Sequence, residues 1–95
     1  MSKVILKGYI LVPETELLAV KKELPNHIDL TRNEVGCMLF EVSQDQENVN
    51  RFNVYEEFSS KEAFASHQER VRNSKWGEIT VNVERYYKVK GDSAE

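Results

Sequence analysis

The stretch from Arg51 to Gly77 reads RFNVYEEFSSKEAFASHQERVRNSKWG. Its first eight residues alternate in character, which predicts a β-strand with one buried face. Three aromatic or aliphatic side chains and one carboxylate share that face: Phe52, Val54, Glu56 and Phe58. Because a charge is costly to bury without a partner, Glu56 is the unusual member of this row and the first candidate for a functional group.

A helix is expected directly after this strand. Ser59 followed by Glu62 matches the capping box, which predicts a helix N-cap at Ser59. His67 falls on the same helical face as Phe64, and the only tryptophan, Trp76, follows where the helix breaks. If the strand packs under the helix, Glu56, His67 and Trp76 line one partly buried space.

Length and composition restrict the class of protein. The chain has 95 residues, 40% of them hydrophobic and 31% charged, which predicts a single domain over 1–95 with a flexible tail from about 91 to 95. A net charge of −3 with interspersed signs argues against nucleic acid or a membrane surface as partner. No apolar run is long enough to span a bilayer and no signal peptide is evident, so we expect a cytoplasmic protein.

The remaining elements follow from periodicity and from proline positions. Strands are predicted over 3–12, 37–43 and 80–89, and a helix from Pro13, with a kink or a break into two short helices at Pro25. The order β-α-β-β-α-β is that of an α+β, ferredoxin-like domain with an antiparallel sheet and both helices on one face. The first strand is apolar on both faces, so we expect a second subunit to cover the outer face in a homodimer.

The chain resembles the antibiotic biosynthesis monooxygenase superfamily, whose members are dimeric α+β barrel proteins. The resemblance is carried by three short motifs: Glu34, Gly36 and Cys37 before the second strand; Tyr55, Glu56 and Phe58 at the end of the third; Ala63, Phe64 and His67 on the helix. It implies a pocket between the sheet and the helices. The haem-degrading branch is disfavoured, because an asparagine expected near Lys7 is missing and Phe58 replaces a tryptophan.

The resemblance implies oxidation of a small hydroxylated, quinol-like aromatic compound by O2 without a cofactor or metal. We expect His67 and Glu56 to be catalytic, because a histidine or a carboxyl group of raised pKa can take a phenolic proton. The expected substrate-binding residues are aromatic or lie at the pocket rim: Trp76, Phe58, Phe40, Phe64 and His27.

Two other functions remain open from the sequence. The same pocket suits an isomerase, or another non-oxidative enzyme acting on a small carbonyl compound, and it also suits a non-catalytic stress protein that binds a small ligand. Purely structural roles are open too: Glu56 in a salt bridge to an arginine, and His67 as a packed core residue.

Overall fold

The computed structural model describes residues 3–91. The strands are β1 (Val4–Leu11), β2 (Cys37–Gln44), β3 (Arg51–Phe58) and β4 (Glu84–Lys90). The helices are α1 (Leu17–Arg32), α2 (Lys61–Arg72) and the short α3 (Lys75–Ile79), with a 3-10 turn at Glu14–Glu16 before α1. The predicted ferredoxin-like order is therefore confirmed, with α3 as an addition; most of the predicted flexible tail lies outside the described residues.

The four strands form one antiparallel sheet in the order β2-β3-β1-β4. Leu6 of the central strand β1 lies opposite Glu56 on one side and Val89 on the other, so these three residues share the face that the helices cover. The apolar core lies between this face and the helices. Its buried members are Leu6, Ile10, Val12, Val20, Phe52, Val54, Trp76 and Val83.

Helix α1 does not break at Pro25, and the prediction of a kink or of two short helices was wrong. The helix runs from Leu17 to Arg32 with the proline inside it. Pro25 lies on the exposed side, so the backbone carbonyl that loses its helical donor can bind water instead. Val20 and Thr31, on the buried side, are both fully enclosed and hold the helix against the sheet on either side of the proline.

The N-cap of α2 is Ser60 and not Ser59 as predicted. The Ser60 hydroxyl accepts a hydrogen bond from the backbone N–H of Ala63. The backbone N–H of Ser59 is used elsewhere: it donates to the carbonyl oxygen of Gly36 at 2.8 Å. Gly36 has a φ of 94°, a conformation that suits glycine, and this turn leads the chain from Glu34 into β2.

Two strand predictions also need correction. Strict alternation over 37–43 predicts Met38 on the same side as Phe40, but a β-bulge between Cys37 and Leu39 rotates Met38 outward and leaves it 56% exposed. The last strand begins at Glu84 and not near Thr80, because Thr80 caps α3 and is fully buried there.

Helices α1 and α3 meet through two stacked rings. The imidazole of His27 and the indole of Trp76 lie 4.4 Å apart with an interplanar angle of 5°. Both residues are buried, and His27 Nδ1 has no hydrogen-bond partner within residues 3–91. Burial, followed by the positive charges of His67 and Arg70, lowers the pKa of His27 to about 3. His27 is therefore a neutral ring at ordinary pH.

None of the helices within residues 3–91 is both long enough and apolar enough to cross a membrane.

The neutral state of His27 makes stability depend on pH. The unfolded chain binds a proton at this histidine below about pH 6.5, whereas the folded chain does so only near pH 3. Protonation thus favours unfolding, and the His27 contribution to the free energy of unfolding is lost as the pH falls from 6.5 towards 3. A His27→Phe variant lacks this term, so the wild type should lose about 3 kcal/mol relative to it between pH 7 and pH 4.

Urea unfolding at pH 7, 6, 5 and 4 measures this difference. Leu18→Ala, at a position 83% exposed on the same helix, is the control and should follow the wild type at every pH. A gap between the wild type and His27→Phe that does not change with pH would contradict the assignment.

Candidate functional site

Glu56 lies where the strand alternation placed it, on the helix-covered face of β3. It is 6% exposed, and its Oε1 atom has no hydrogen-bond partner among residues 3–91. The nearest basic atom is Nε2 of His67, 3.9 Å from Oε1, which is too far for a hydrogen bond. Glu56 is thus a buried carboxyl group whose free oxygen faces an imidazole and no arginine.

His67 stands between two carboxyl groups. His67 lies on the interior face of α2, is 5% exposed, and directs Nε2 towards Glu56. On the other side, Nδ1 lies 3.1 Å and 3.2 Å from the two carboxylate oxygens of Glu34. The ring is therefore held through Nδ1 and leaves Nε2 directed at the Glu56 oxygen.

Glu34 is itself anchored by a cation. Arg70, one helical turn beyond His67 on α2, donates from Nε to Glu34 Oε2. Its Nη2 donates to the hydroxyl of Thr31 at 2.9 Å, and Thr31 is fully buried at the end of α1. Helix α1, helix α2 and the turn before β2 therefore meet at one ion pair.

The environment shifts the pKa of both central groups. Burial first, and then the negative charge of Glu34, raises the pKa of Glu56 to about 7. Burial also lowers the pKa of His67, and the hydrogen bond to Glu34 acts in the opposite direction. Near neutral pH the site thus holds a neutral imidazole beside a carboxyl group that is close to half ionised.

Two more titratable groups are within range of the Glu56 charge. Cys37 begins β2. Tyr87 lies on β4, diagonal to Glu56 across Gly8 on the same face of the sheet, and is 37% exposed. Burial and then carboxylate charge raise the pKa of both, that of Tyr87 to about 12. The thiol and the phenol therefore stay protonated while Glu56 titrates.

Aromatic rings pack around the two imidazoles. Phe58 lies 4.8 Å and Phe40 5.9 Å from the His67 ring, measured between centroids. Phe40 also meets His27 edge-on at 5.4 Å, and Phe64 packs on Phe58 at 5.7 Å. Trp76 stacks on His27, whose ring centroid is 6.3 Å from that of His67, so Trp76 reaches the site through His27.

The structure thus gathers the seven residues singled out from the sequence into one connected cluster: His67, Glu56, Trp76, Phe58, Phe40, Phe64 and His27. Sequence reasoning missed Glu34 and Arg70 as members of the site. Glu34 stands in the polar turn before β2, where only its place in the Glu34, Gly36, Cys37 motif could have indicated a role. Nothing in the local sequence around Arg70 distinguishes it from the other charged residues of α2.

The polar centre of the cluster is buried. Glu56 is 6% and His67 5% exposed, and neither lines any of five well-formed surface clefts within residues 3–91. A cleft of about 190 Å³ opens beside Glu34 and Arg70 on the outer side of the ion pair. Within the described residues, no group of three or more histidine, cysteine or acidic side chains is arranged to hold a metal ion.

Comparisons with known proteins agree with this architecture. Three similar structures are described as putative antibiotic biosynthesis monooxygenases. The one from Nitrosomonas europaea is 22% identical, with a TM-score of 0.72 over 95% of this chain and 85% of that one. The one from Deinococcus radiodurans is also 22% identical, with a TM-score of 0.69 over 93% and 88%. The one from Bacteroides thetaiotaomicron is 20% identical, with a TM-score of 0.75 over 93% and 84%.

At these identities the structures show a shared fold. A comparison with curated protein sequences found no match. The family model of antibiotic biosynthesis monooxygenases, however, matches residues 4–76, which include β1 to α2 and therefore every charged residue of the site. The chain belongs to the antibiotic biosynthesis monooxygenase family.

Proposed function

We propose that this protein is a monooxygenase that oxidises a small hydroxylated, quinol-like aromatic compound with O2, using His67 and Glu56 to take the phenolic proton. The observation that carries the proposal is the buried pair of Nε2 and Oε1, 3.9 Å apart with no hydrogen bond between them. A hydroxyl oxygen about 2.8 Å from each atom fits that separation, so one phenolic group can contact both.

The deprotonated phenol is what makes reaction with O2 feasible, because a phenolate gives up electrons far more readily than a neutral phenol. For a quinol, one oxygen atom of O2 replaces a ring hydrogen as a new hydroxyl group. The two original hydroxyl groups become carbonyl groups, and their two hydrogens leave with the second oxygen atom as water. The substrate supplies all the electrons, so the balance requires neither a cofactor nor a second reductant.

The aromatic residues support a flat ligand. Phe40, Phe58 and Trp76 already pack their rings against the two imidazoles, and an aromatic substrate offers the same kind of contact. Because these rings fill the interior in the ligand-free chain, we propose that substrate enters as Phe40 and Trp76 change rotamer. The acidic site repels carboxylate ligands, which favours neutral phenols.

The proposal is tested by O2 uptake on a panel of quinols with the metal-free protein. We expect uptake above the uncatalysed rate, incorporation of one ¹⁸O atom per product from ¹⁸O2, and a loss of at least about 100-fold in kcat for His67→Gln. Glutamine keeps much of the imidazole volume but cannot accept the proton. Gln68→Ala, at the exposed neighbouring position, is the control and should remain active.

Two other results would identify one of the alternative functions. Turnover of a carbonyl compound without O2 would show an isomerase or a related enzyme in the same pocket. Thermal stabilisation by an aromatic ligand with no product formed would show a binding protein. Either result overturns the oxidative proposal.

The raised pKa of Glu56 predicts the pH profile. If the ionised carboxylate accepts the proton, directly or through His67, kcat/KM should rise about tenfold between pH 6 and pH 8 as Glu56 ionises around pH 7. The titratable groups that face Glu56 do not produce a rise between pH 6 and pH 8. Cys37 and Tyr87 have raised pKa values, and the pKa of His67 is lowered.

Glu56→Gln should lower kcat/KM by about 100-fold and flatten the rise. Glu69→Gln, an exposed carboxyl group on α2, should keep both the rate and the profile of the wild type. A Glu56→Gln variant with an unchanged midpoint near pH 7 would assign the titration to another group.

We further propose that the protein works as a homodimer in the cytoplasm, with the outer sheet face buried between subunits. That face holds a groove of about 810 Å³ lined by Ile5, Tyr9, Tyr86 and three lysines. The rings of Tyr9 and Tyr86 stack at 5.0 Å, and Arg51 lies 3.8 Å above the Tyr9 ring, which forms a flat surface. The family resemblance and this flat surface support the proposed dimer.

Sedimentation should give a mass of about 22 kDa, twice the 11.1 kDa of one chain. Ile5→Lys adds a charge to the outer face on the central strand β1, opposite Lys90 and close to Lys7, and should shift the mass towards one chain. Leu18→Lys adds the same charge on the exposed side of α1 and should leave the dimer intact. A wild type that sediments as a monomer would refute the proposed dimer.

A further inference from the structure

Glu34 offers His67 only hydrogen-bond acceptors. Both carboxylate oxygens lie within hydrogen-bond distance of Nδ1, at 3.1 Å and 3.2 Å. An ionised carboxylate cannot donate, so a neutral His67 meets this contact best with its proton on Nδ1. The other ring nitrogen, Nε2, then carries the lone pair and faces Glu56.

Arg70 keeps the Glu34 carboxylate in the position that this arrangement needs. Its guanidinium donates to one Glu34 oxygen and to the buried hydroxyl of Thr31, so the cation cannot swing away without losing both contacts. The outer side of the pair opens into the cleft of about 190 Å³, which gives the Glu34 charge access to solvent. The Glu34 carboxylate is therefore fixed beside Nδ1 by a charge-assisted hydrogen bond.

We propose that Glu34, held by Arg70, is a positioning residue that fixes His67 in the Nδ1–H tautomer and so makes Nε2 the base that faces Glu56. The inference rests on the proposed function for its consequence, since an Nε2 lone pair matters only if a proton is taken there. The geometry of the tautomer itself can be measured without any substrate. Neither Glu34 nor Arg70 was among the residues that the sequence predicted for the site.

Replacing Glu34 by glutamine should reverse the tautomer. The single amide oxygen of the new side chain accepts best from the charged Arg70. Its NH2 group is then left facing Nδ1, where it can only donate, so the imidazole proton is expected on Nε2, directed at Glu56. Nε2 would no longer be free to take a proton from a substrate.

The ring ¹⁵N shifts of a histidine-labelled protein distinguish the two tautomers directly. The chain has two histidines, so His27 serves as an internal reference and as a check that the fold is intact. At pH 8 the wild type should show a protonated Nδ1 and an unprotonated Nε2 at His67. Glu34→Gln should show the reverse, whereas Glu69→Gln, the exposed carboxyl control, should match the wild type.

Activity provides the second readout. Glu34→Gln should lower kcat at least about tenfold with little change in KM, because the base is lost while the aromatic contacts remain. Arg70→Gln should fall between the wild type and Glu34→Gln in both tautomer population and kcat.

The two proposals fail in different ways. A wild type with its proton on Nε2, or a Glu34→Gln variant with the tautomer unchanged, overturns the role of Glu34 whatever the activity. A tautomer that reverses as expected in a protein that consumes no O2 overturns the proposed function and leaves the role of Glu34 standing. If Glu34→Gln does not fold, the wild-type spectrum alone decides.

Discussion

The Glu56 carboxyl group is buried in the apolar face of β3, and the arrangement of the other site residues depends on this burial. Glu56 shares its face with Phe52, Val54 and Phe58, all nearly inaccessible to water. A charge in such a place is unfavourable, and the raised pKa of Glu56 expresses that cost. No arginine or lysine neutralises it among the described residues; its polar neighbour is a histidine, which can exchange a proton with it.

The two histidines show how environment separates residues of one type. Each is buried and each has a lowered pKa, but their contacts differ. His27 packs between Trp76 and Phe40, with no hydrogen-bond partner for its Nδ1 within residues 3–91, and behaves as an aromatic core residue. His67 has a carboxylate at one nitrogen and a carboxyl group near the other. Only His67 is therefore placed to exchange a proton with a carboxyl group.

Membership of the antibiotic biosynthesis monooxygenase family and the sheet of four strands agree with each other, but the chemistry depends on local detail. The neighbouring structures share the fold at about one identical residue in five. At that distance, a shared fold fixes the arrangement of strands and helices and leaves the side chains between them free to vary. The Glu34, His67 and Glu56 arrangement is therefore the feature on which the function of this chain is best argued.

Much of the fold could be predicted because local periodicity reports which side of an element is buried. The alternation in β3 identified its buried face and placed Glu56 there, and the helical spacing of Phe64 and His67 placed both on the inner side of α2. The errors arose where local rules compete. Pro25 did not break α1, because the carbonyl group that loses its donor faces solvent. The bulge between Cys37 and Leu39 interrupts the alternation of β2 directly after the turn at Gly36.

The sequence by itself determined the order β-α-β-β-α-β, the buried faces of β3 and α2, and the single carboxylate in an apolar row, because these depend on residues close together in the chain. Only the tertiary structure decided the partners of His67. Glu34 lies 33 residues before it, and the ion pair with Arg70 joins positions 36 apart. Contacts at that separation depend on how the turn before β2 approaches α2, which no local pattern encodes.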